Sequence, residues 1–287
     1  MFARVRAVLQ SRTVLVIGIL VSLVVPAVTL SRLPHVSVWP IVAGLLPWVV
    51  GKYLLCALRW RALTHADLPR RWFLRAYAES ELVGLLTPGH VGADLWRLRR
   101  LVGAGLGRGD AVMSVGTDRL VGALGLIAFV AAGASAIPVH LVLPVAAASV
   151  VALVVVLVVR RVRPHLLPSR PLPPPRRLLH GFALSAGYQL SIAGLLLGAV
   201  AATGNTVSPL AVMGAFGASQ LAGAVPGPQG ASPRDGALVL GLFAAGVPWA
   251  AAVAAVTLKA ALAWLPALLL GGTSLWIGRR PAAAAAA

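Results

Sequence analysis

"LLTPGHVGAD", residues Leu85 to Asp94, interrupts an apolar stretch of chain, and it comes back. After 138 positions (226 minus 88) the chain reads "AVPGPQGASPRD", Ala224 to Asp235. Both stretches carry Pro-Gly-x-x-Gly-Ala followed by a carboxylate. Proline cannot continue a helix and glycine weakens one, so each stretch marks a break in helical backbone. What surrounds the two breaks decides the fold.

Their surroundings are apolar. Of 287 residues, 59% are hydrophobic and only 11% charged, with a mean hydropathy of +0.89. Soluble domains run near ~45–50% apolar and ~25% charged, so a soluble domain is excluded. Several runs reach the ~20 residues that a helix needs to cross a bilayer. The class is an all-α polytopic membrane protein. The net charge of +18 does not point to nucleic acid, because the arginines lie between apolar spans rather than on a soluble domain. The single cysteine, Cys56, sits in an apolar span, which rules out an intrachain disulfide and any cysteine-built metal site.

Six spans are expected, at 13–33, 36–58, 111–137, 139–160, 179–203 and 248–277, with two broken stretches at 74–93 and 208–246. The first span lacks a cleavage site and reads as a retained helix. Arginine clusters before 13–33, after 36–58, before 111–137, between 139–160 and 179–203, and after 248–277 all fall on one side if the N-terminus is cytoplasmic. Loops near Arg32, Ile137 and "TGNTVS" are nearly uncharged and fall on the other. The bookkeeping closes if each broken stretch enters and leaves on one face, as a re-entrant hairpin. Two short full spans over 208–246 satisfy it equally. The expectation is an inner (plasma) membrane protein with both termini cytoplasmic.

The order span, span, hairpin, span then occurs twice. Each copy has an odd number of crossings, so the second is inverted. This divides the chain into a first repeat (1–137), a second repeat (138–280) and a low-complexity tail (281–287). Inverted repeats with interrupted helices characterise transporters whose site lies near the midplane at the repeat interface.

"LLTPGHVGADLWRL", "TDRLVGALGLI" and "VPGPQGASPRDGALVL" also resemble, in order, three signatures of the lysylphosphatidylglycerol synthetase membrane-region (flippase-like) family. Two positions depart from the pattern: Ser232 stands where glycine is usual and Asp235 where glutamate is usual. The resemblance implies translocation of a lipid between leaflets. It does not imply aminoacyl transfer, since no soluble synthase domain is present in the sequence.

Charges inside spans are functional candidates by default. Asp118 and Arg119 lie in one span and Lys259 in another. Just past the breaks come Asp94 and Arg97 in the first copy, and Arg234 and Asp235 in the second. A broken helix exposes N–H groups that attract anions, and arginine's planar fork suits phosphate. These seven residues form the candidate substrate site. Pro88, Gly89, Gly92, Pro226, Gly227 and Gly230 form its hairpin backbone. Two readings stay open at this stage: phosphate binding, or a salt bridge locking the halves together, with Asp94 as a helix cap. Glu79, Glu81 and His90 are candidates for a proton relay. No catalytic motif, metal site or cofactor site is present in the sequence. The expected function is a transporter of a phospholipid or polyprenyl-phosphate lipid, with a lipid-modifying enzyme or a non-transporting scaffold for a cell-envelope synthase as alternatives. Homo-oligomerisation is left open.

Overall fold

Within the described residues, each apolar span forms one long helix. The structure, a computed structural model, describes residues 37–85, 87, 91–133, 173–222 and 232–277, with residues 28, 31, 158, 161 and 162 in isolation. The expected spans 13–33 and 139–160 lie outside these residues, as does the tail. The described chain has no strand.

Four helices are long and apolar enough to cross a membrane: α1 (Val38–Leu63), α4 (Arg108–Ala132), α5 (Pro175–Ala202) and α8 (Trp249–Ile277). Between α1 and α4 lie two shorter helices, α2 (Arg70–Leu85) and α3 (Val91–Gly103). Between α5 and α8 lie α6 (Pro209–Ala222) and α7 (Pro233–Ala244). The longest of these four, α2, has 16 residues. At ~1.5 Å per residue it covers about 24 Å, short of a ~30 Å hydrocarbon core. Span, short pair, span is therefore seen twice. Helix starts at 38, 70, 91 and 108 recur with nearly constant offset at 175, 209, 233 and 249.

Local signals explain the boundaries. Pro174 and Pro175 open α5, and prolines also open α6 and α7, where their missing N–H groups cost nothing. Ser232 and Asp235 form a reciprocal capping box on α7. Both short pairs end in the same turn. Gly105 (φ 94°) and Gly246 (φ 91°) take the left-handed conformation. Just beyond them, the Leu106 N–H donates to Leu101 O and the Val247 N–H to Leu242 O, both at 3.1 Å.

Two expectations are corrected here. The span expected at 36–58 continues to Leu63, so Arg59 and Arg61 are helical, not loop residues. The helix runs on because Trp60 and Leu63 are buried and supply an apolar face beyond the charged positions. The first broken stretch is likewise longer than 74–93. Arg75 lies on α2, and Arg97, Arg99 and Arg100 lie on α3, which runs to Gly103.

Helix α5 is the centre of packing and touches α1, α4, α6 and α8. Its contact with α1 is backbone against backbone. A Cβ on Gly44 would lie 2.6 Å from Gly194 O, and one on Gly198 would strike Pro40 O. Small residues permit this close approach, on which helix association in lipid depends. The short pairs also cross between the two groups of helices: α2 packs on the C-terminal part of α8, and α6 packs on α4.

Candidate functional site

Ten charged side chains fall into two separate clusters, a division the sequence did not foretell. The first joins α1, α3 and α4. Asp118 on α4 is fully buried (0% exposed). Arg59 on α1 grips it bidentately, Nε to Oδ1 at 2.7 Å and Nη2 to Oδ2 at 3.2 Å. Arg97 on α3 adds Nη1 to Oδ2 at 2.7 Å. Arg59 Nη1 also donates to Ser185 Oγ on α5 at 3.2 Å, so the cluster reaches the central helix. A buried carboxylate between two guanidiniums is compensated in charge and in hydrogen bonds, the condition for keeping ions inside.

The chain of ions extends outward from Arg97. Its Nη2 donates to Asp94 Oδ1 at 2.9 Å, and Arg119 donates to the same carboxylate at 2.9–3.1 Å. The Arg119 side chain is half exposed (50%), whereas that of Arg97 is 2% exposed. Arg97 lies against the rings of Trp60 (5.5 Å) and Tyr77 (5.3 Å). The α3 N-terminus is capped not by Asp94 but by Thr87 Oγ1, which accepts from the Gly92 N–H at 3.0 Å.

The second cluster faces a cavity of about 80 Å3 to which six helices contribute. Lys52 on α1, Arg234 on α7 and Lys259 on α8 bring cations to it, and Glu81 on α2 brings a carboxylate. Trp48, Tyr53, Tyr188 and Phe216 supply aromatic wall. Lys52 Nζ pairs with Glu81 Oε2 at 2.8 Å and lies 5.6 Å from the Tyr188 ring centre. Lys259 Nζ lies 3.4 Å from Asp235 Oδ1, a longer and weaker contact than those at Asp118. Arg234 lies 5.6 Å from the Phe216 ring, and its buried Nε has no hydrogen-bond partner among the described residues. A cavity with three cations, one of them holding an unused buried donor, and with aromatic walls suits a ligand with an anionic group and an apolar body.

The family comparison adds identity to this geometry. The family profile for the lysylphosphatidylglycerol synthase TM region matches residues 11–271, which takes in seven described helices whole and most of α8. The chain belongs to this family. No individual curated protein matches it. Membership in the lysylphosphatidylglycerol synthase TM-region family and the four membrane-length helices make this a membrane protein related to lipid synthesis or translocation.

The sequence-derived site residues of this family member are thus divided. Arg234, Asp235 and Lys259 meet at or beside the cavity, while Asp94, Arg97, Asp118 and Arg119 form the other cluster. The single site combining Arg97 and Arg119 with Arg234 and Lys259 is not assembled. Among the relay candidates, Glu81 lines the cavity. Glu79 does not; it accepts from Trp96 Nε1 at 3.1 Å and Ser274 Oγ at 2.9 Å and pairs with Arg100, tying α2, α3 and α8 together. His90, Pro88, Gly89, Pro226, Gly227 and Gly230 lie outside the described residues. Lys52, Arg59 and Tyr188 were missed. A cation within an apolar span was the signal for Lys52. Arg59 was hidden by placing the end of the span one residue before it.

Proposed function

We propose that this protein carries a phosphate-bearing lipid between membrane leaflets, with the headgroup in the cavity and the acyl or prenyl tails left in the bilayer. The observation that carries the reading is the meeting of Lys52, Arg234 and Lys259 in one cavity bounded by helices from both halves of the described chain. Arg234 offers a planar fork and Lys259 a point charge, the two donor types that bind phosphate oxygens. Cations at membrane depth are costly, and an anionic ligand offsets that cost. The twice-seen order of span, short pair and span supports an inverted repeat in which the short pairs are re-entrant and the two halves rock about the shared site. In that arrangement both termini face the cytoplasm of an inner membrane.

Headgroup-resolved scrambling in proteoliposomes tests the transport. Wild-type protein should move a phosphate-bearing lipid, and Arg234→Ala or Lys259→Ala should slow it at least about tenfold, the loss of one charge-assisted contact. Appearance of a lipid of changed mass would select an enzyme instead. Lipid that stays in its leaflet would leave the scaffold role. Single-cysteine labelling in a Cys56→Ala background tests the topology: a cysteine at Asn205 should react from outside only, and reaction from the cytoplasm rejects the inverted repeat.

A further inference from the structure

The two short pairs place an arginine in the same setting. In the first, Arg97 on α3 lies 5.3 Å from the ring of Tyr77 on α2. In the second, Arg234 on α7 lies 5.6 Å from the ring of Phe216 on α6. Three residues past each ring stands a fully buried serine, Ser80 or Ser219, donating back to the carbonyl of Tyr77 or Phe216. Both arginines also leave the same atom unused: Nε of each is buried without a hydrogen-bond partner among the described residues. An orphaned guanidinium donor inside a protein is costly and calls for an explanation. At Arg234 the explanation is at hand, because it lines the cavity. At Arg97 there is none in the packing, for its surroundings are closed.

We infer that Arg97 is a second station for a lipid phosphate, equivalent to Arg234, and that the Asp118 carboxylate holds it shut in this structure. The inference rests on the transport reading given above. Arg59 already satisfies Asp118 bidentately. Arg97 is joined to it by one bond, Nη1 to Oδ2, and by Nη2 to Asp94, which Arg119 also holds. Release of Arg97 from both carboxylates therefore leaves two neutral pairs behind, Arg59–Asp118 and Arg119–Asp94. The freed fork, Nε included, then presents parallel donors to a monoanionic phosphate, which offsets the one positive charge by which the cluster's arginines exceed its carboxylates. The carboxylate stands in for the ligand: it keeps a cation compensated inside the protein while the phosphate is at the other station. Opening one station and closing the other is what rocking of two related halves accomplishes.

The test uses the full chain in lipid nanodiscs made with phosphatidylcholine alone or with phosphatidylglycerol added, and with inorganic phosphate as a separate arm. Asp118→Asn removes the buried anion that holds Arg97 Nη1, while Asp94 stays on Nη2. Its melting temperature should fall in phosphatidylcholine and recover with phosphatidylglycerol more than that of the wild type does. Native mass spectrometry should then count one phosphatidylglycerol more than on the wild type, and Asp118→Asn/Arg97→Gln should lose it. Recovery with inorganic phosphate alone, without the extra lipid, would assign the station to free anions and overturn the lipid reading. No recovery with either overturns the station itself. Arg97→Lys, which keeps the charge beside Asp118, is the companion variant should Asp118→Asn not fold. It should fold with a near wild-type melting temperature yet transport at least about tenfold more slowly, since a point charge replaces the fork. Wild-type transport in folded Arg97→Lys overturns the station. If the wild type binds no lipid that Arg234→Ala removes, the transport reading fails first. If it does bind, and Asp118→Asn gains none, the second station alone fails.

Discussion

The ion cluster around Asp118 and the ion pair beside the cavity are built from opposite polarities at corresponding places. Asp118 lies ten residues after the start of α4 at Arg108, and Lys259 ten after the start of α8 at Trp249. On α3 the partner is a cation, Arg97; on α7 it is an anion, Asp235. The first cluster is short-bonded, closed, and shared by α1, α3 and α4, with Ser185 of α5 joined to it. In the second, Lys259 meets Asp235 at 3.4 Å at the edge of open space. The same scaffold thus holds one tight knot and one loose pair. Buried ions that surround each other fix structure, while ions that face a cavity with donors to spare are free to exchange partners.

The largest effect should come from cutting the knot. Asp118→Ala strands Arg59 and leaves Arg97 with Asp94 alone, and in a neutral lipid this should cost about 3–5 kcal/mol, read as loss of thermal stability. A small change there would erase the contrast between the two clusters. Next comes the frame that holds the knot to α5. Gly198→Ala sets a methyl against Pro40 O, a backbone atom that cannot rotate away. Thermal unfolding should report a loss of about 1–3 kcal/mol. Gly194, with open space at its Cβ, is the control; Gly194→Ala should be neutral or gain up to about 1 kcal/mol from helix propensity.

The loose pair should behave in the opposite way. Lys259→Ala should change stability by no more than about 1 kcal/mol, because Asp235 keeps its capping box on α7. Transport in proteoliposomes should nonetheless fall, as proposed above. Equal loss of stability and transport would make this pair a second knot. The smallest effect is expected at Arg119, which is half exposed and shares Asp94 with Arg97. Arg119→Ala should alter stability by about 0–1 kcal/mol in thermal unfolding, the range of exposed ion pairs. A larger loss would extend the knot outward to the surface of α4.

Much of this arrangement was legible before any coordinates. Hydropathy located all four described spans, since ~20 apolar residues in succession have few other uses. The repeated Pro-Gly signature located both short pairs, and charge at membrane depth singled out Asp118 and Lys259. What could not be read was which charges meet. Sequence spacing gives a phase on one helix, but pairing depends on how several helices cross. Arg97 and Arg234 are alike in sequence context, yet only the packing reveals that a carboxylate from α4 covers the first. Glu79 and Glu81 are two positions apart on α2 and face different neighbours, Ser274 for one and Lys52 for the other. The missed Lys52 and Arg59 lie on the helix that looked simplest.

That helix carries a further consequence. Three residues after Pro47, α1 widens into a π-turn over Val50–Leu55, and α8 does the same over Ala267–Gly272, directly after Pro266. A wide turn is equivalent to one extra residue threaded into an α-helical register. In α1 it lies between the face that buries Trp48 and the segment that carries Arg59. Loss of a single codon within it would restore regular winding yet leave everything beyond at the same angle, because the wide turn absorbs the extra residue locally. Arg59 would still meet Asp118, and the loss would be felt within the turn itself, where Lys52 and Tyr53 face the cavity. In this part of the gene a one-residue deletion is thus a milder lesion for the ion cluster than the same deletion in the regular winding on either side, which would turn everything beyond by about 100°.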